Sequence, residues 1–258
     1  MTGGTMKIQE YGTEGKADIL CIPGLFMSGE CFLEVIAQLP EYHFVCITLN
    51  SHYPNSEGYI GREHELDLLT DMLRERGQTH FDLCIGLSLG TILSVCLAQR
   101  SEIKLDRLLL DGAVNFYRSK LGGLERAAMR YLFRSAMKQA REQEVYKPIL
   151  DREYVGDWSK YNKVCAASMT DDALEIIIQE LSAFEPESGL TQPMRFLYGS
   201  KEHNTAACSK NIRRCFPQAK IEKKEGYAHL IFLNRNPDKY AAIVRETLEI
   251  PVERKPIR

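Results

Sequence analysis

Short apolar runs bounded by glycine or proline recur along the chain. Ala17–Ile22 ends in Pro23-Gly24, His43–Leu49 is rich in β-formers, and Phe81–Ile85 closes on Gly86. Leu105–Leu110 closes on Asp111-Gly112, Met194–Tyr198 closes on Gly199, and Lys220–Lys223 is a weaker sixth run. Runs of this length, apolar on both faces, predict strands of a buried parallel sheet. Between them the apolar period lengthens to that of a helix. Glu30–Leu39 joins the first two runs, Arg62–Arg76 sets Leu66, Leu69, Met72 and Leu73 on one side, and Leu89–Arg100 is apolar almost throughout. The expectation is an α/β fold: a mostly parallel central sheet with helices on both faces.

The alternation stops after Asp111. From residue 117 to about residue 190 only helical periods appear, such as Leu124, Ala127, Ala128, Tyr131 and Leu132, then Leu174, Ile177, Ile178 and Leu181. A helical insertion of this size between two strands predicts a lid over a site, within a single domain spanning residues 1–258. Tyr117–Arg152 carries nine basic and four acidic residues, and Glu153–Leu190 carries two basic and eight acidic. Two solvated faces that partly pair explain this asymmetry, and a basic lip for acidic substrates is the sharper alternative.

Composition narrows the function classes. The 258 residues are 44% hydrophobic and 26% charged, which excludes wholesale disorder. A net charge of −2 gives no reason to expect nucleic acid or an anionic membrane as partner. No apolar run is long enough to span a bilayer, no secretory signal is expected, and Thr2 stands where myristoylation needs glycine. The eight cysteines show no C-x-x-C spacing and sit mostly in apolar runs, so they read as buried reduced thiols of a cytoplasmic protein. No clustered ligand set calls for a metal, no cofactor is implied, and the oligomeric state is unreadable.

The chemistry-bearing motif is Gly86-Leu87-Ser88-Leu89-Gly90, a G-x-S-x-G pattern between a buried strand and a helix. A sharp strand-to-helix turn lifts the Ser88 hydroxyl clear of the sheet, and only small residues fit at positions 86 and 90. The alternative is a tight turn in which Ser88 merely caps the helix. A serine hydroxyl needs a base. His229 lies in a loop after the sixth run, at the same carboxyl edge as Ser88. His43 and His80 precede strands and lie at the other edge, His64 sits on a charged helix, and His52 is the main rival. The base needs a carboxylate to fix its tautomer. Glu202 follows the fifth run and is favoured, with Asp111 as the alternative acid. For the oxyanion, the amide of Leu89 is one expected donor. The other is expected from the Pro23–Phe26 loop, with Leu25 preferred over Phe26. Ser28 is expected to cap the next helix.

With these residues in place the sequence resembles the α/β-hydrolase superfamily. The carriers are the 86–90 motif, the Pro23-Gly24 loop, Gly199-Ser200-Lys201-Glu202 and Gly226-Tyr227-Ala228-His229, in the order nucleophile, acid, histidine. The resemblance implies a serine hydrolase with a helical lid, acting on a small carboxylic ester or related acyl compound. Serine at the elbow argues against epoxide hydrolases and haloalkane dehalogenases, which use aspartate there. Two departures stand out: Pro23 replaces the histidine frequent in the oxyanion loop, and Glu202 replaces the commoner aspartate. An acyltransferase with the same triad and a non-catalytic binding module on the same fold are the alternatives. Tyr117, Tyr131, Phe133, Trp158 and Phe184 are candidates to line an apolar acyl site, although aromatics at helical spacing more often belong to the core.

Overall fold

The computed structural model describes residues 6–13, 15–117, 122–148 and 152–252. The chain opens with strands β1 (Lys7–Gly12) and β2 (Asp18–Ile22), a 3-10 turn over Gly29–Phe32, helix α1 (Leu33–Ile36) and strand β3 (His43–Thr48). Helix α2 (Arg62–Glu75), strands β4 (His80–Phe81) and β5 (Leu83–Leu87), and helix α3 (Leu89–Ala98) follow. Strands β6 (Lys104–Leu105) and β7 (Leu108–Asp111) precede the insertion, which contains α4 (Gly122–Glu142), α5 (Trp158–Ser168) and α6 (Asp171–Ala183). The chain then re-enters the sheet with β8 (Met194–Gly199), α7 (Thr205–Cys215), β9 (Lys220–Lys224), α8 (Ile231–Arg235) and α9 (Pro237–Leu248).

Seven strands form one sheet in the order β1-β3-β2-β5-β7-β8-β9. Every neighbouring pair is parallel except β1 with β3. The strand alternation sorts the core into two layers. Ile19 and Cys21 of β2, Leu83, Ile85 and Leu87 of β5, and Leu109 of β7 face the layer shared with Tyr240 and Val244 of α9. Leu20, Ile22, Cys84, Leu108 and Leu110 face the opposite layer, with Leu69 of α2 and Ile92 of α3. Burial of both faces at about 1.5–3 kcal/mol per large apolar side chain is what makes these strands read as continuous apolar runs.

The structure departs from the sequence reading in four places. Strand β1 was not expected, and it pairs with β3 over six residues. The runs at 81–85 and 105–110 each split, their first residues forming a separate two-stranded sheet of β4 and β6. Asp82 and Arg107 sit at the breaks. The Asp82 carboxylate accepts from the Asp18 amide at 2.9 Å, and the Arg107 Nε donates to the Ile250 carbonyl at 2.8 Å. The expected helix at 30–39 is only the 3-10 turn and the single turn of α1. Ser28 stands at the N-cap position of that 3-10 turn but its hydroxyl makes no capping bond.

Topology marks where a ligand belongs. From β2 the chain moves to β3 on one side, then crosses back to β5 on the other. The carboxyl ends of β2 and β5 therefore flank the point where strand order reverses, the usual crevice of open α/β sheets. Gly24-Leu25 leaves β2 there, and Ser88 leaves β5.

Candidate active site

Ser88 joins β5 directly to α3 with φ +51° and ψ −112°, a region that non-glycine residues rarely occupy. Such strain costs on the order of 1–3 kcal/mol and persists only where the surroundings enforce it. Here the Ser88 amide donates to the Asp111 carbonyl at 2.8 Å, and the Ser88 carbonyl accepts from the Thr91 hydroxyl at 2.6 Å. The glycines of the motif answer to close approach. A Cβ on Gly86 would stand 2.5 Å from Ser94 Oγ and 2.6 Å from the Gly90 carbonyl oxygen, and one on Gly90 would collide with the Ile22 carbonyl. Ser88 does not cap α3. Its side chain lines a cavity of about 670 Å³.

His229 and Glu202 line the same cavity. Nδ1 of His229 lies 2.9 Å from Oε2 of Glu202, and Oε1 of Glu202 accepts the Gly199 amide at 2.5 Å. The Glu202 side chain is 1% exposed and the imidazole 24%. A carboxylate accepts, so Nδ1 carries the proton of this bond, and in the neutral imidazole Nε2 is then the acceptor. Beneath the ring runs the backbone of Gly112, at φ +73°, where a Cβ would stand 2.5 Å from Cε1 of the imidazole. In the sequence Gly112 reads only as the end of a strand. Among the described residues the Ser88 hydroxyl makes no hydrogen bond to the imidazole, and bonds of this kind often tighten only when substrate is bound.

The other titratable candidates fall elsewhere. His52 is fully buried, its Nδ1 bonded to the Asn50 carbonyl at 2.9 Å and its Nε2 buried without a hydrogen-bond partner among the described residues. Burial pushes its pKa down to about 4. It does not line the cavity. His43 pairs with Asp18 and Glu10, and His80 with Asp106, all at the amino edge of the strands. His80, Asp82 and Asp106 offer three ligand-type atoms within 4.8 Å of one another, but Lys104 and the Asp18 amide already engage the two carboxylates. Asp111 is buried, and desolvation followed by the nearby Glu202 charge pushes its pKa well up. It makes no bond to His229, and its Oδ2 has no hydrogen-bond partner among the described residues. Of the two acids left open by the sequence, the structure brings Glu202 to the histidine.

The turn after β2 lies against Ser88. A Cβ on Gly24 would stand 3.0 Å from Ser88 Cβ, and the Met27 amide closes the turn on the Gly24 carbonyl at 3.1 Å. Leu25 and Phe26 line the cavity, and the Leu25 amide donates to no backbone carbonyl among the described residues. Leu89 is the first residue of α3, where an amide precedes the first helical hydrogen bond. Both expected oxyanion donors therefore remain available.

The insertion supplies much of the remaining wall, including Met129, Leu132, Phe133 and Tyr146. Of the aromatics weighed between wall and core, Tyr117, Tyr131 and Phe133 line the cavity. Trp158 and Phe184 instead belong to the core, Trp158 against Tyr154 at 4.9 Å between centroids and Phe184 against Phe116 at 5.0 Å. The basic helix α4 spends charge on α6. Arg130 grips Glu175 through Nε and Nη2 at 2.6 and 2.7 Å, and Arg134 reaches Glu175 at 3.2 Å and Asp171 at 3.5 Å. The paired-face explanation of the charge asymmetry holds for these residues. No helix among the described residues is long and apolar enough to cross a membrane.

No family model and no curated protein matches the chain. Solved structures do. An α/β hydrolase family protein from Desulfitobacterium hafniense is 20% identical, with a TM-score of 0.72 over 94% of this chain and 100% of that one. An esterase from Exiguobacterium antarcticum is 11% identical, with a TM-score of 0.74 over 95% of each chain. A carboxylesterase from Bacillus subtilis is 16% identical, with a TM-score of 0.68 over 97% of this chain and 90% of that one. Identities this low speak to architecture, and the chain has the α/β-hydrolase fold.

Proposed function

We propose that the protein is a serine hydrolase that cleaves a small carboxylic ester or related acyl compound through an acyl-enzyme. The observation that carries this reading is the Glu202-bound imidazole of His229, whose free Nε2 belongs to the same cavity as a serine held on a strained elbow. Ser88 Oγ attacks the carbonyl carbon while His229 Nε2 takes its proton. The new C–O bond leaves a negative oxygen facing the Leu25 and Leu89 amides. Collapse breaks the ester C–O bond, and the leaving alcohol takes the proton from His229. Water then attacks the acyl-enzyme, giving a proton to Nε2. Release of the acid returns that proton to Ser88. Glu202 holds the tautomer and stabilises the imidazolium throughout.

The names of two structural relatives, an esterase and a carboxylesterase, support an ester as substrate. The apolar residues of the cavity wall support an apolar acyl group. The test is labelling by a fluorophosphonate together with turnover of p-nitrophenyl esters of increasing chain length. Wild-type protein is expected to be labelled at Ser88 and to turn over an ester, and S88A to do neither. Folded wild-type protein that stays unlabelled and inert would refute the reading in favour of a binding module.

A further inference from the structure

Phe26 holds φ +60° at the third position of the turn from Gly24 to Met27, a position that ordinarily asks for glycine. A bulky residue stays there only if its surroundings over-determine it. Its ring is met by the insertion. Phe133 of α4 packs edge-on against Phe26, with centroids 5.8 Å apart and planes at 89°. Both rings line the cavity beside Ser88. Phe133 is itself anchored through a relay of contacts. α4 is tied to α6 by the bidentate Arg130–Glu175 pair. α6 is tied to the segment entering α2 by Glu180, which accepts from the Tyr59 hydroxyl at 2.5 Å and from the Arg62 amide at 2.6 Å.

We infer that Phe133 is a positioning residue. Its edge contact keeps Phe26 left-handed, and so keeps the turn after β2 in the orientation that presents its amides to the developing oxyanion. If Phe26 swings to negative φ, the turn changes type and the Leu25–Phe26 peptide unit turns over, which swings the Leu25 carbonyl and the Phe26 N–H and re-aims the turn that carries the Leu25 amide. The insertion then does more than wall the cavity: it sets the electrostatics of the step at Ser88. This inference rests on the serine-hydrolase reading and adds a residue to it.

The experiment measures kcat, KM and Tm for wild type, F133A, F133L, F26A and F26A/F133A on one p-nitrophenyl ester. It also measures inhibition by a trifluoromethyl ketone, which forms a tetrahedral adduct with serine, and by the product acid. F133A is expected to lose about tenfold or more in kcat, a fraction of the loss known for deleting an oxyanion donor. Tm should stay near wild type, while trifluoromethyl ketone affinity falls in step with kcat and by more than product-acid affinity. F133L, which keeps an apolar side chain there, should recover part of the rate. F26A/F133A should be no slower than F26A alone, because the two rings act through one contact. A wild-type kcat in F133A, a loss confined to KM, or losses that multiply in the double variant overturn the inference. If F133A does not fold, F133L and F26A are judged by the same kcat and ketone criteria. A labelled wild type with an indifferent F133A overturns this inference alone. An unlabelled, inactive wild type overturns the hydrolase reading and this inference with it.

Discussion

Both edges of the sheet carry histidine–carboxylate pairs of nearly the same length. At the amino edge His43 Nδ1 lies 2.8 Å from Asp18, and His80 Nε2 lies 3.0 Å from Asp106. At the carboxyl edge His229 Nδ1 lies 2.9 Å from Glu202. Distance alone does not separate them, but surroundings do. The Asp18 side chain is 53% exposed and the His80 side chain 48%, whereas Glu202 is 1% exposed and held by the Gly199 amide. Exposed pairs are screened by water and salt and are worth little. A buried carboxylate with one oxygen fixed to backbone has only the imidazole left to serve. Strand polarity decides which pair meets a nucleophile, because backbone amides and strained turns converge where parallel strands end.

The largest test of this contrast removes the proposed nucleophile: S88A should lose about a thousandfold or more in kcat on an ester that wild type cleaves. E202Q should follow closely, by about two to four orders of magnitude, because the imidazole loses its tautomer and its counter-charge. D111N is the matched control. Burial and the nearby Glu202 charge push the Asp111 pKa well up, the amide is a near-isostere of its acid form, and kcat should change by less than about threefold. If D111N proves the more damaging of the two, Glu202 is the wrong acid.

A smaller effect concerns stability away from either edge. Glu65 is buried against Asn50, whose backbone and side-chain amides donate to it at 3.2 and 2.9 Å. Burial raises its pKa from 4.5 to about 7. Between those values the unfolded chain releases a proton that the folded chain keeps, so stability falls as pH rises through this window. The loss is at most about 3 kcal/mol. Thermal melts of wild type should therefore drop from pH 5 to pH 8 more steeply than those of E65Q, and parallel curves would clear Glu65 of the effect. Smallest of all, H43N and H80N should each shift stability by under about 1 kcal/mol and leave kcat alone. A drop in kcat from either would mean that the two edges are coupled.

The parts legible in the sequence were those where local and global signals agree. The motif at 86–90 announces itself because an elbow needs small residues at 86 and 90 and an apolar strand before it. Glu202 and His229 follow from strand polarity once β8 and β9 are recognised. Strand β1 was invisible because its residues are exposed or half-buried along its whole length, so its conformation comes from pairing with β3 and not from an apolar pattern. The short β4 and β6 were hidden inside longer runs, whose interruptions at Asp82 and Arg107 depend on partners far along the chain. Phe26 carries no local hint of its left-handed backbone, since nothing in a phenylalanine favours it. The aromatics divided between wall and core for the same reason: helical spacing gives a face but not what that face meets.

The imidazole of His229 rests on main chain at Gly112, and this has a consequence for how such a protein diversifies. A side chain beneath the ring could be trimmed or enlarged by single substitutions, letting the ring ride higher or lower. Bare peptide offers no such adjustment, and any Cβ there displaces the ring outright. Under the proposed mechanism, substitutions in the wall contributed by the insertion would change what the cavity admits, while the height of the imidazole over Gly112 stays fixed.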